Sequence, residues 1–126
     1  MLAVVKANAY GHGLMRVADA LADADGFAVL DLDAAVQLRG AGHNTRIVLL
    51  EGFFEAAELL HFAEHRLTAV VHSPEQIEVL EQLSLPRPID VMLKLNSGMN
   101  RLGFSEASFA GALSHRGADG APYRPI

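Results

Sequence analysis

The sequence predicts an α/β fold built on a parallel sheet. Three observations carry this prediction. Short β-rich runs alternate with stretches of helical period, five times in succession. The strand runs are almost continuously apolar, as strands covered on both faces are. The stretches between them hold the crossover helices that parallel neighbours require.

Taken in order, Leu2–Val5 reads as the first strand, which ends at Lys6 and breaks into a polar loop punctuated by Gly11 and Gly13. Leu14, Val17, Ala18 and Leu21 recur at i, i+3, i+4 and i+7, the apolar face of a first helix. Phe27–Leu30 is a second strand, and Asp31–Arg39 a short helix stopped near Gly40 and Gly42. Ile47–Leu50 is a third strand, closed by Glu51-Gly52. Phe53–His65 is expected to be a helix, with Phe54, Ala57, Leu59 and Phe62 among its apolar positions. Thr68–Val71 is a fourth strand. Ser73-Pro74-Glu75-Gln76 then opens a helix: serine caps, proline takes the first helical position and glutamine lies three residues on. Pro86 and Pro88 separate that helix from a fifth strand, Ile89–Leu95, and Ser105 caps a last helix, Glu106–Leu113. Residues 114–126 have no period and are rich in Gly and Pro. They are expected to be an unstructured tail from outside the original reading frame, with 1–113 as the ordered domain.

Composition narrows the function. The 126 residues are 51% hydrophobic, enough for a packed core. A net charge of −5 with no basic patch argues against nucleic acid as a partner. The absence of cysteine fits a reducing cytoplasm. The first residues lack the features of a secretory leader, and the apolar runs are too short to span a bilayer. Two architectures suit the β/α units: a doubly wound sheet or part of a (β/α)8 barrel. No G-x-G-x-x-G follows the first strand, which weakens the dinucleotide-binding version of the former.

Two stretches carry chemistry. Ala3-Val-Val-Lys-Ala-Asn-Ala-Tyr-Gly-His-Gly13 sets a primary amine at the mouth of a buried strand, where a carbonyl compound can be held as a Schiff base. Lys94-Leu-Asn-Ser-Gly-Met-Asn-Arg-Leu-Gly-Phe104 follows the fifth strand. Both sit where a strand ends and a βα loop begins, the face on which barrel active sites are built. Taken locally, Lys6 and Lys94 suit solvated strand ends, Tyr10 a half-buried loop tyrosine and Arg101 a surface arginine.

Together the two strings closely resemble the signatures of the alanine racemases, in order and in context, over about residues 2–113. The resemblance implies the first five β/α units of a TIM barrel, with the C-terminal β domain of that family absent. It implies an isomerase that uses pyridoxal 5'-phosphate to interconvert L- and D-alanine for peptidoglycan synthesis, a cytoplasmic homodimer with a small amino acid as its partner. Lys6 matches the lysine that binds the cofactor covalently and serves as base on one face of the substrate. Tyr10 matches a tyrosine that bonds the cofactor phosphate. Arg101 matches an arginine near the cofactor's phenolic oxygen and the substrate carboxylate, where a planar guanidinium suits paired anionic oxygens. Lys94 matches a lysine often carbamylated in the family. Leu50 is expected to pack against the cofactor ring, or to be a plain core leucine. Asn96-Ser97 replaces the Asp-Thr or Asp-Ser of many members.

The second acid/base of that reaction is a tyrosine from the family's C-terminal half. Only Tyr10 and Tyr123 exist here, so the 126-residue polypeptide alone is expected to be inactive. Two alternatives share the lysine: a broad-specificity amino-acid racemase of the same family, and a non-enzymatic pyridoxal-phosphate-binding barrel, whose members usually lack the 98–103 string. His61 and His65 stand at i, i+4 without an evident third ligand, and no metal is expected. Asp31 and Asp33 suit a helix start, and Ser97 has no local histidine to activate it.

Overall fold

Each apolar run pairs with the run before it. In this computed structural model, which describes residues 1–96, 103–114 and 123–126, one parallel sheet takes its strands strictly in sequence order. They are β1 (Leu2–Val4), β2 (Gly26–Val29), β3 (Arg46–Leu49), β4 (Thr68–Val71), β5 (Ile89–Leu93) and β6 (Tyr123–Pro125). Register runs Val4 to Ala28, Val29 to Leu49, Leu49 to Ala69 and Val71 to Leu93, so the strands' C-terminal ends share one edge.

The side-chain period of two divides the core. Phe27, Val29, Ile47, Leu49, Ala69, Val71, Ile89 and Val91 face the helices, where Leu38, Leu59, Phe62 and Leu80 meet them. Ala28, Val48 and Val70 form a second cluster with Leu50 and Met92 packed against it. Burial on both faces is why the strands read as unbroken apolar runs. Leu2 and Val4, on edge strand β1, remain 38% and 43% exposed.

Short polar residues start the helices. Asp31 caps α3 (Leu32–Gly40), its Oδ1 accepting from the Ala34 amide at 2.8 Å. Ser73 caps α5 (Pro74–Gln82), with Pro74 in the first turn. Gln76 reaches back to accept from the His72 amide at 2.8 Å, one residue before the cap, and donates to the Phe53 carbonyl at 3.3 Å. Ser105 caps α6 (Glu106–Leu113). At the other end of α3, Arg39 donates to the carbonyls of His65 and Arg66 at 2.8 and 3.0 Å, and to those of His43 and Thr45. It ties the end of α3 to the end of α4 (Glu58–His65).

Two expectations need correction. The helix expected over Phe53–His65 begins only at Glu58. The Glu58 carboxylate accepts from the Phe54 and Glu55 amides at 2.7 and 2.8 Å, satisfying donors just before the helix. Phe53 instead turns into the core, edge-on to Phe62. The expected unstructured tail departs at its end, where β6 pairs with β5 through Tyr123 to Ile89 and Val91 to Pro125. A three-residue strand bounded by prolines gives no periodic signal, and an edge position tolerates the proline that hid it. Residues 115–122 lie outside the described residues.

Tyr123 is buried, and its hydroxyl donates to the Ala112 carbonyl at 3.3 Å. Burial, reinforced by the Glu81 charge, pushes its pKa from 10.0 up to about 12. The folded state therefore holds the phenolic proton more tightly than the unfolded state. This contribution is complete below pH 10 and fades as pH rises towards 12. Denaturation followed against pH should show that loss, and Tyr123→Phe should remove it. An identical alkaline profile in the variant would sink the assignment.

Candidate active site

The sheet's C-terminal edge begins with a helical turn of the wrong hand. Lys6 follows Val5, whose amide donates to the Ala28 carbonyl at 2.9 Å and so holds the end of β1 on β2. In α1 (Lys6–Tyr10), Ala7, Asn8, Ala9 and Tyr10 then all take φ between 51 and 55°. For L-residues that hand costs on the order of 1–2 kcal/mol each, so surrounding bonds must impose it.

Those bonds converge on Asn8. Its carbonyl accepts from Gly11 and Gly13, and its Oδ1 accepts from the Leu14 amide at 2.8 Å, at the start of α2 (Leu14–Ala20). Asparagine is also among the few non-glycine residues that visit this conformation readily. Gly11 and Gly13, at φ +87 and +93°, complete the reversal. The result leaves Lys6 half-buried and Tyr10 exposed at the end of β1.

Asn8→Ala should cost about 1–3 kcal/mol, because it orphans a helix-end donor and loses the residue suited to the turn. Hydrogen exchange at the Leu14 amide should accelerate, while Asn8→Asp should keep most of the protection. Unchanged exchange in Asn8→Ala would show that the turn is held by something else. Sequence reading passed Asn8 by, although an asparagine three residues before Gly11 and five before Gly13 was the available signal.

The other expected residues fall on the same edge. Leu50 follows β3 and packs on the Ala28, Val48 and Val70 cluster. Lys94, half-buried, follows β5, and its amide donates to the Val71 carbonyl at 2.9 Å. The loop after it closes on itself: Phe104 donates to the Lys94 carbonyl at 2.7 Å, and Asn96 to the Phe104 carbonyl at 2.9 Å. Gly103, at φ +143°, permits this, since a Cβ there would sit 2.7 Å from the Asn96 nitrogen. Arg101 and the rest of 97–102 lie outside the described residues. Tyr123 pairs with Ile89, the first residue of β5, so it stands at the opposite end of the sheet from Lys6 and Lys94.

A parallel sheet whose β/α units follow in strict sequence order, with no reversal of direction, is the pattern of a (β/α)8 barrel and not of a doubly wound sheet. The sequence model of the family described as "Alanine racemase, N-terminal domain" matches residues 1–121. The chain belongs to the alanine racemase family, of which these residues form the N-terminal part of the barrel domain. It is 56% identical over 115 residues to the alanine racemase of Nitrosospira multiformis, covering 91% of this chain and 32% of that protein. With the alanine racemase of an Azoarcus species it shares 62% over 104 residues, 82% of this chain and 30% of the relative. The crystal structure of the biosynthetic alanine racemase from Pseudomonas aeruginosa superposes with a TM-score of 0.85 at 47% identity, covering 90% of this chain and 32% of that one. The chain thus spans about a third of the length of these relatives.

Proposed function

We propose that the protein carrying this chain is a pyridoxal 5'-phosphate-dependent racemase that interconverts L- and D-alanine. The observation that carries this reading is Lys6, half-buried one residue past the buried Val5 and followed at once by the left-handed turn. The names of the relatives support the substrate.

The donor set suits that cofactor: a primary amine for its carbonyl carbon, a phenol for its phosphate and cationic groups for its phenolic oxygen. When bound, pyridoxal phosphate supplies an electron sink that acidifies the substrate's Cα–H. Lys6 would hold the cofactor through Nζ. The same amine would take or return the substrate's Cα proton on one face. Tyr10 would hydrogen-bond the cofactor's phosphate through its hydroxyl. Arg101 would supply the guanidinium that suits the phenolic oxygen and the substrate carboxylate. Lys94, if carbamylated, would pair with Arg101, and Leu50 would pack against the cofactor ring and help exclude water. Proton transfer on the opposite face needs a second group. Tyr123, buried at the other end of the sheet, does not serve, and we place that group outside these residues. Assembly as a homodimer in the cytoplasm and supply of D-alanine to peptidoglycan complete the reading. Among the described residues no helix is long and apolar enough to cross a membrane.

The protein purified with its cofactor and reduced with borohydride should carry a pyridoxyl label on Lys6 in peptide mapping, and should convert L- to D-alanine. A label on Lys94 would overturn the assignment of the lysine, and failure to convert alanine the assignment of the substrate.

A further inference from the structure

Helix α4 carries an unassigned group of metal-ligating side chains. His61, Glu64 and His65 stand at i, i+3 and i+4, positions that share one side of a helix. Leu59, Phe62 and Ala63 bury the other side and anchor the backbone beneath them. One ligand atom from each of the three residues lies within 4.8 Å of the other two. His61 Nδ1 is 4.0 Å from a Glu64 carboxylate oxygen. The two imidazole rings are nearly parallel, at 14°, with centroids 6.3 Å apart.

We propose that His61, Glu64 and His65 form a surface site for one divalent transition-metal ion of the Zn2+ type. Bonds of about 2.0–2.2 Å to nitrogen and oxygen put neighbouring ligand atoms of a tetrahedron roughly 3.3 Å apart. Small side-chain rotations close the remaining gap, and the exposed His61 and Glu64 are unhindered in making them. Two imidazoles and a carboxylate suit Zn2+, Ni2+ or Cu2+, whereas Ca2+ and Mg2+ call for six or more oxygen-rich positions. Three protein ligands leave the fourth position to water.

The setting is electrostatically mixed. The site occupies the last turn of α4, where the helix presents its negative end. Glu64 adds a full negative charge. Arg39 and Arg66 oppose them, but Arg39 bonds the backbone carbonyl of His65 at 2.8 Å and leaves the imidazole for the metal. β4 starts just past this end of α4, at Thr68, so the site lies at the opposite end of the sheet from Lys6. Ligand substitutions should therefore leave alanine turnover unchanged, which separates this site from the proposed catalytic one.

The test uses the full-length, untagged protein carrying this chain, freed of metal and titrated with Zn2+ by calorimetry, with Co2+ as a visible-absorption probe. One Zn2+ per protomer is expected to depend on these side chains. His61→Ala and His65→Ala should each weaken it by at least about tenfold, and Glu64→Gln by a smaller factor. Zn2+ should also raise the melting temperature of the wild type and not that of the double histidine variant. Alanine is the strongest helix former and keeps the helix, which circular dichroism checks. Affinity unchanged in either histidine variant or in Glu64→Gln, or no binding by the wild type, overturns the proposal.

Discussion

Lys6→Ala should reduce alanine racemisation to background in the complete protein. The substitution removes the amine that holds the cofactor and, with it, the base on one face of the substrate. A positioned base alone is worth roughly 10²–10⁴-fold in rate, and the covalent attachment adds to that. The loss should appear in kcat, because substrate contacts assigned to Arg101 do not involve the lysine side chain. Structure should survive, since Lys6 is only half-buried and the turn beyond it is held by Asn8. Added methylamine, small enough to enter the space left by the side chain, should restore a measurable fraction of turnover. A variant retaining even a tenth of wild-type kcat would remove Lys6 from the reaction and return it to the role of a solvated strand end.

Gly52→Ala should be among the most destabilising single substitutions in this chain. Gly52 ends the turn after β3 at φ +70°, its amide donating to the Leu49 carbonyl at 3.0 Å. A Cβ there would lie 2.4 Å from the Val70 carbonyl oxygen and 2.9 Å from Gln76 Nε2. The left-handed backbone costs about 1–2 kcal/mol and the forced shift of packed atoms about 1–3 more, so a total near 2–5 kcal/mol is expected. The clash also falls on Gln76, the side chain that joins the start of α5 to the loop before α4. The helical glycines are controls. Gly40 and Gly111 have nothing within 4 Å of an added Cβ, and alanine there should stabilise by up to about 1 kcal/mol. Chemical denaturation of the three variants side by side would decide the matter. A Gly52→Ala midpoint equal to wild type would show that the β3 turn yields.

The parts legible in the sequence were those with a local cause. Asp31, Ser73 and Ser105 each start a helix where a short polar side chain reaches a backbone amide, and each does so in the structure. Thr68–Val71 and Glu106–Leu113 keep their expected bounds. The parts that escaped depend on distant contacts. Phe53 to Ala57 reads as helix by period, yet the Glu58 carboxylate and the Phe62 ring hold Phe53 to Glu55 otherwise. Ala7 and Ala9 are strong right-handed helix formers turned left-handed by hydrogen bonds that no local preference predicts. At the candidate site, the strand-end positions of Lys6, Leu50 and Lys94 were legible. Glu64 was overlooked as a partner of His61 and His65, although it lies in the same five-residue string.

The strict sequence order of the strands has a consequence for synthesis. Among the described strands, each one's hydrogen-bonding partner is the strand made just before it, so the sheet they form needs no contact from far ahead in the chain. Loop closure between neighbours is short, and its entropic cost grows only slowly with length. Such a sheet can grow strand by strand behind the ribosome, its open edge moving forward with the nascent chain. Of the two amines at this rim Lys6 is made first, and β2 is enough to hold its strand in register, so the amine stands in its turn long before β5 brings Lys94 to the same edge.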